Sequence, residues 1–160
     1  LYDVKLLEAA VARAKHHSSQ LGKRPLEQLV KKPILFHLEY VDGLKANVIN
    51  LDGAVWEWCA AWRMDGEEDI RSTLFWTQEK RPYGHFTFLV QGIEKTFHFN
   101  QPAWPTERTL LTTGLLDALL RSKSQEGEII ETPHLAIPYK SDWSWKEPPP
   151  PPKERPWNKQ

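Results

Sequence analysis

One cysteine, one methionine, no net charge and no apolar run longer than four or five residues set the first limits on this 160-residue chain. Cys59 has no second cysteine to pair with, so neither an internal disulfide nor a cysteine zinc knuckle is expected, and a small core thiol is the simpler reading. Basic and acidic side chains balance at 21 each and the pI is about 7.2. No global field would draw in nucleic acid or an acidic membrane surface. A bilayer-spanning helix needs roughly 20 apolar residues, and no run approaches that. Phosphate-cradling glycine motifs, GxxxxGK[ST] and GxGxxG, do not occur, nor does a GxSxG elbow. The histidines at 16, 17, 37, 85, 98 and 134 never fall at metal-ligand spacing with acidic partners on one helix face. No catalytic or metal-binding residue is assigned by motif.

What the sequence does hold is 13 prolines, many of them clustered late, and 8 tryptophans. Apolar residues at Val4, Leu7, Val11 and Ala14 keep a helical period from Asp3 to about His17, with Asp3 as N-cap. Pro25 suits the start of a short helix to Lys32, which Pro33 stops. From Ile34 to Met64, Asp42-Gly43 and Asp52-Gly53 are two-residue hairpin signals between β-branched and aromatic runs, predicting three antiparallel strands. A fourth follows from Arg71 to Thr77, before a break at Glu79 to Tyr83. Helices are expected from Gly84 to Phe99, with Phe86, Leu89, Val90, Ile93 and Phe97 in one stripe, and from Thr106 to Ser124, with Leu110, Leu111, Gly114, Leu115, Ala118 and Leu119 in another. Short edge segments at Ile129-Ile130 and Leu135 to Tyr139 complete the pattern.

Tight two-residue turns would oppose Val41 to Leu44 and Leu51 to Ala54, fixing which residues share a face. One face then carries Tyr40, Lys45, Trp56, Trp58 and Trp62; the other carries His37, Glu39, Glu57, Cys59 and Ala61. His37 and Glu57 would flank Val48 across three strands. His37, Glu39, Lys45 and Glu57 at the sheet rim are candidate substrate-binding groups, able to hold a sugar hydroxyl or move a proton, or to satisfy one another locally. Glu107 and Arg108, at the start of the last helix, are candidates for clamping a carboxylate or phosphate, or form an ordinary first-turn ion pair. The strip of Trp56, Trp58 and Trp62 with Tyr40 is a candidate interface, or core beneath helices. The whole predicts an α+β fold, a mostly antiparallel open sheet with helices packed on one face. It divides into an N-terminal helical segment (1–33), a sheet-and-helix domain (34–139) and an extended tail (140–160) containing the run Pro148 to Pro152.

The stretch from His85 to Pro133, HFTFLVQGIEKTFHFNQPAWPTERTLLTTGLLDALLRSKSQEGEIIETP, resembles the closing segment of the Gfo/Idh/MocA oxidoreductases, the glucose-fructose oxidoreductase and inositol dehydrogenase family. The matching residues are Phe88 and Glu94 to Phe97, then Pro102 and Pro105, then Asp117, Ala118, Ser122, Gly127 and Ile130; the preceding LFHLEYVDGLKANVINLDG is similar to the sheet of the same domain. The resemblance implies the C-terminal substrate and oligomerisation domain of an enzyme acting on a sugar or polyol, present as a fragment or separate chain and inactive alone. NAD(P) would then belong to a missing Rossmann half or a nucleotide-binding partner chain. The open sheet face would carry that partner or a homo-oligomer contact, and no cofactor would be held by this chain itself. Glu79-Lys80-Arg81-Pro82 mimics the family's E-K-P motif with an insertion, but it follows the wrong strand, and no catalytic residue carries over. The alternative reading is a non-catalytic protein- or carbohydrate-interaction module with a proline-rich docking tail.

Overall fold

The structure is a computed structural model and describes residues 1–75 and 84–140. Contacts group the chain into two compact units, Leu1–Trp76 and Thr77–Gln160, so the boundary lies inside the segment 34–139, and residues 1–33 belong with the four strands. The expected break at 79–83, with its Glu79 to Pro82 tetrapeptide, and the tail from 141 to 160 lie outside the described residues. The fold class is α+β, with antiparallel strand pairing throughout.

Helix α1 (Val4–Val11) starts where expected. The Asp3 carboxylate accepts from the Lys5 and Leu6 amides at 2.8 and 3.3 Å. It stops well short of His17, because the amides of Lys15 and His16 are taken by the Glu57 carboxylate instead of continuing the helical ladder. The second helix is a single turn, α2 (Leu26–Leu29), with Pro25 as its N-cap and buried Val30 at its end.

Strands β1 (Ile34–Glu39) and β2 (Lys45–Asn50) pair antiparallel, but one residue out of the expected register. Tyr40 donates its amide to Leu44 at 2.9 Å, leaving a three-residue loop in which Gly43 holds φ 88°. A positive φ at the last loop position is what glycine permits cheaply, and it adds the residue that a two-residue turn lacks. The slip turns β2 over. His37 now opposes Asn47, Glu39 opposes Lys45, and Val48 opposes Phe36 on the other face.

The expected third partner does not join this sheet. Beyond Asn50, Gly53 at φ 92° and the amides of Ala54 and Val55, both donating to the Leu51 carbonyl, form a compact turn with Ala54 fully buried. Ser18 donates to the Ala54 carbonyl and Trp56 to the His16 carbonyl, so this stretch pairs with the segment after α1 rather than with β2. The chain then runs into β3 (Trp58–Arg63), which among the described residues pairs with β4 (Ile70–Phe75) and not with β2. A single open sheet is thereby corrected to two separate two-stranded sheets. Helix α1 packs on β3 and β4, and Arg13 to Ser72 (2.9 Å) and Arg63 to Asp3 (3.2 Å) tie it to the face carrying Cys59, Ala61, Arg63, Ile70, Ser72 and Leu74.

In the second unit, α3 (Gly84–Phe99) and α4 (Thr106–Ser124) match their expected bounds, although Pro105 rather than Thr106 is the N-cap of α4. Asn100 ends α3 at φ 51°. Thr96 Oγ1 donates to the Gly92 carbonyl and accepts from the Ala103 amide, holding the link against α3 so that the Trp104 ring lies on Gly92. On α4, Ala118 is buried and Leu111, Gly114, Leu115 and Leu119 are half-buried, while Leu110 is exposed. The α3 stripe is not core: Phe86, Leu89, Val90, Ile93 and Phe97 are all exposed. No strand forms at Ile129-Ile130, and the segment after it makes a 3-10 turn (Pro133–Leu135) whose Leu135 covers Gly114. Among the described residues, no helix is long and apolar enough to cross a membrane.

Candidate functional site

The face of the β3–β4 hairpin opposite α1 gathers three exposed aromatic side chains of the first unit, Trp58, Trp62 and Phe75. Strand alternation puts Trp58, Ala60 and Trp62 on this side, and the antiparallel register sets Phe75, Thr73 and Arg71 directly across from them. Trp58, Trp62 and Phe75 are 66%, 41% and 53% exposed, whereas Ala60 and Thr73 between them are half-buried. These small residues lie between two larger cross-strand pairs, Trp58 with Phe75 at one end and Trp62 with Arg71 at the other. Trp56 extends the strip at 57% exposure, and Tyr40, at the end of the other hairpin, is also exposed. Trp56, Trp58, Trp62 and Tyr40 are thus exposed and not core beneath helices. Arg71 is held by Glu67 at 2.8 Å within an acidic turn that also contains Asp65, Glu68 and Asp69.

The polar candidates do not converge. His37, Glu39 and Lys45 do share one face of the β1–β2 hairpin, but they are satisfied in cross-strand pairs. His37 Nδ1 lies 2.9 Å from Asn47 Oδ1, and Lys45 Nζ lies 3.4 Å from Glu39 Oε1 with both side chains well exposed. Glu57 is not across Val48 from His37. It sits just before β3 on the α1 side, where its carboxylate accepts from the Lys15 and His16 amides and lies 3.2 Å from His16 Nδ1. With its side chain only 5% exposed, it anchors a loop rather than facing solvent. Beside that loop is a shallow cleft of about 440 Å³, lined by residues 12–15 and by Ser72, Thr73 and Leu74.

Glu107 and Arg108 belong to the second unit. Neighbours in a helix point in different directions, and Arg108 turns back over the Trp104 ring, 5.8 Å from its centroid, in a cation–π contact. Glu107 is the acidic residue of the first turn of α4, where it favours the helix dipole. Among the described residues, no three His, Cys, Asp or Glu side chains gather as metal ligands. Reading the sequence for clusters missed Phe75 and Arg71, because both lie on a strand joined through a charged turn whose register could not be read; the alternation of Trp58, Ala60 and Trp62 was the available signal.

No known protein family matches the chain, and neither a curated protein nor a solved structure is similar to it.

Proposed function

We propose that this chain is a non-catalytic interaction module whose β3–β4 aromatic face binds another polypeptide. One observation carries the reading: Trp58, Trp62 and Phe75 stand exposed together on the sheet face that α1 leaves uncovered. Exposed tryptophan is among the residue types most enriched where binding energy concentrates. The oxidoreductase reading asks for a single open sheet and a convergent polar rim, whereas the described strands make two pairs and, within the first unit, Glu57 stands apart from His37, Glu39 and Lys45.

Sedimentation of the natively purified chain tests the proposal. The wild-type chain is expected above its 18.6 kDa monomer mass, alone or with a co-purifying polypeptide, and Trp58→Ser with Trp62→Ser is expected to return it to that mass with an unchanged circular dichroism spectrum. An unaltered hydrodynamic mass in the folded double variant would overturn it.

A further inference from the structure

We infer that the occupant of this exposed aromatic face is the proline run Pro148–Pro152 of a second copy of this chain, so that two copies exchange tails. This rests on the reading of the β3–β4 face as a binding surface and adds what it binds. Proline-rich sequence in general favours the extended polyproline II helix, which loses little entropy on docking and is recognised by aromatic side chains.

The dimensions agree. Trp58 and Trp62 are four residues apart on one strand, about 13 Å at roughly 3.3 Å per residue. A five-residue polyproline II helix spans about 12 Å from first to last residue at roughly 3.1 Å per residue. One run therefore reaches from the Trp58/Phe75 pair to the Trp62/Arg71 pair, its rings lying over Ala60 and Thr73.

Charge gives the direction. The turn joining β3 to β4, next to Trp62, holds Asp65, Glu67, Glu68 and Asp69. Lys153 follows the prolines immediately, with Glu154 and then Arg155 after it, while Glu147 precedes them, so the C-terminal end of the run is the more basic one. A run laid with its C-terminal end at Trp62 brings these cations to the acidic turn, while the opposite polarity carries them away from it. The second copy is the natural source because face and tail occur once per chain, and a two-fold pair closes with two equal contacts. Two weak contacts in one closed pair reinforce each other through effective concentration.

Sedimentation equilibrium of the full chain and three sets of variants tests the exchange. The wild type is expected to dimerise reversibly. Pro149→Ser with Pro150→Ser and Pro151→Ser, and separately Trp58→Ser, are each expected to weaken dimerisation by roughly tenfold or more, as losing one aromatic anchor does. Mixing these two variants restores one intact face and one intact tail, so a heterodimer weaker than wild type but stronger than either homodimer is expected. Glu68→Lys and Lys153→Glu should each weaken the wild-type pair, and their combination should recover part of the loss. A dimer indifferent to the proline substitutions but lost with Trp58→Ser would overturn the exchange and leave the binding-surface reading intact. A dimer indifferent to Trp58→Ser would sink both, and a wild-type chain monomeric at every concentration would overturn the second-copy assignment.

Discussion

At the scale of single residues, two carboxylates hold the N-terminal part of the first unit, and they act differently. Glu57 satisfies two loop amides and lies beside His16, inside a largely solvent-excluded contact. Glu57→Ala leaves those amides without this acceptor, and a loss of about 1–3 kcal/mol is expected in urea unfolding. Glu57→Gln keeps one carbonyl oxygen for them and should cost clearly less; equal losses for the two variants would show that the anchoring is steric rather than hydrogen-bonded. Asp3 ties stability to pH. Partial desolvation works upward on its carboxyl, but the Leu6 and Lys5 amides and the Arg63 guanidinium outweigh it and hold Asp3 below the usual carboxylate range. A carboxyl depressed in the folded chain adds stability that is present above its unfolded pKa of about 3.9 and is lost as pH falls through the folded value. Asp3→Asn retains an N-cap acceptor without the charge, so the gap in unfolding free energy between wild type and this variant should close on acidification from pH 5 to pH 2. A gap independent of pH would remove Asp3 from the acid response.

Elements carry the lesson of what a sequence makes legible. The bounds of α3 and α4, the Asp3 cap and the existence of all four strands follow from local signals, namely periodicity, capping chemistry and turn residues. Register and pairing do not. Asp42-Gly43 is equally compatible with a two-residue turn and with the three-residue loop that puts Gly43 at φ 88°, and that one-residue choice moved Lys45 to the same face as Glu39. Which strand accepts β3 was decided by Ala54 and Glu57 binding the segment after α1, a contact about forty residues away in sequence that no local pattern announces. Within the site, Trp58 and Trp62 were legible from alternation, whereas Phe75 and Arg71 needed the β4 register. Two glycines in the second unit allow a quantitative comparison. A Cβ on Gly92 would sit 2.5 Å from the Trp104 ring, which the Thr96 hydrogen bond to the Ala103 amide and the Arg108 stack keep in place. On Gly114 it would meet only the tip of the Leu135 side chain. Gly92→Ala is expected to destabilise by about 1–3 kcal/mol, as overpacking against a rigid neighbour does, while Gly114→Ala is offset by the better helix propensity of alanine and stays near neutral. Thermal unfolding of both variants checks the order, and a larger loss for Gly114→Ala would reverse the assignment of rigidity.

For the whole molecule, the distribution of apolar side chains is the governing fact. Among the described residues, the buried apolar set is Ala14, Val30, Leu38, Ala54 and Ala118, with no large side chain fully buried, while Trp58, Phe75, Ile93 and Phe97 are exposed. Small side chains contribute little transfer free energy, so much of the apolar surface that could stabilise the fold remains available for association. A fold in that condition gains stability from whatever covers it, and the gain depends on concentration through mass action. The unfolding midpoint of the wild-type chain is therefore expected to rise with protein concentration, by an amount corresponding to about 1.4 kcal/mol for each tenfold increase per dimer when dimer and unfolded monomer are the only species. Trp58→Ser should flatten that dependence while changing the midpoint at high dilution little, since Trp58 is 66% exposed in the single chain. Calorimetry over a hundredfold range of concentration separates the cases: a midpoint that does not move in the wild type means that the exposed aromatic face is not covered by self-association.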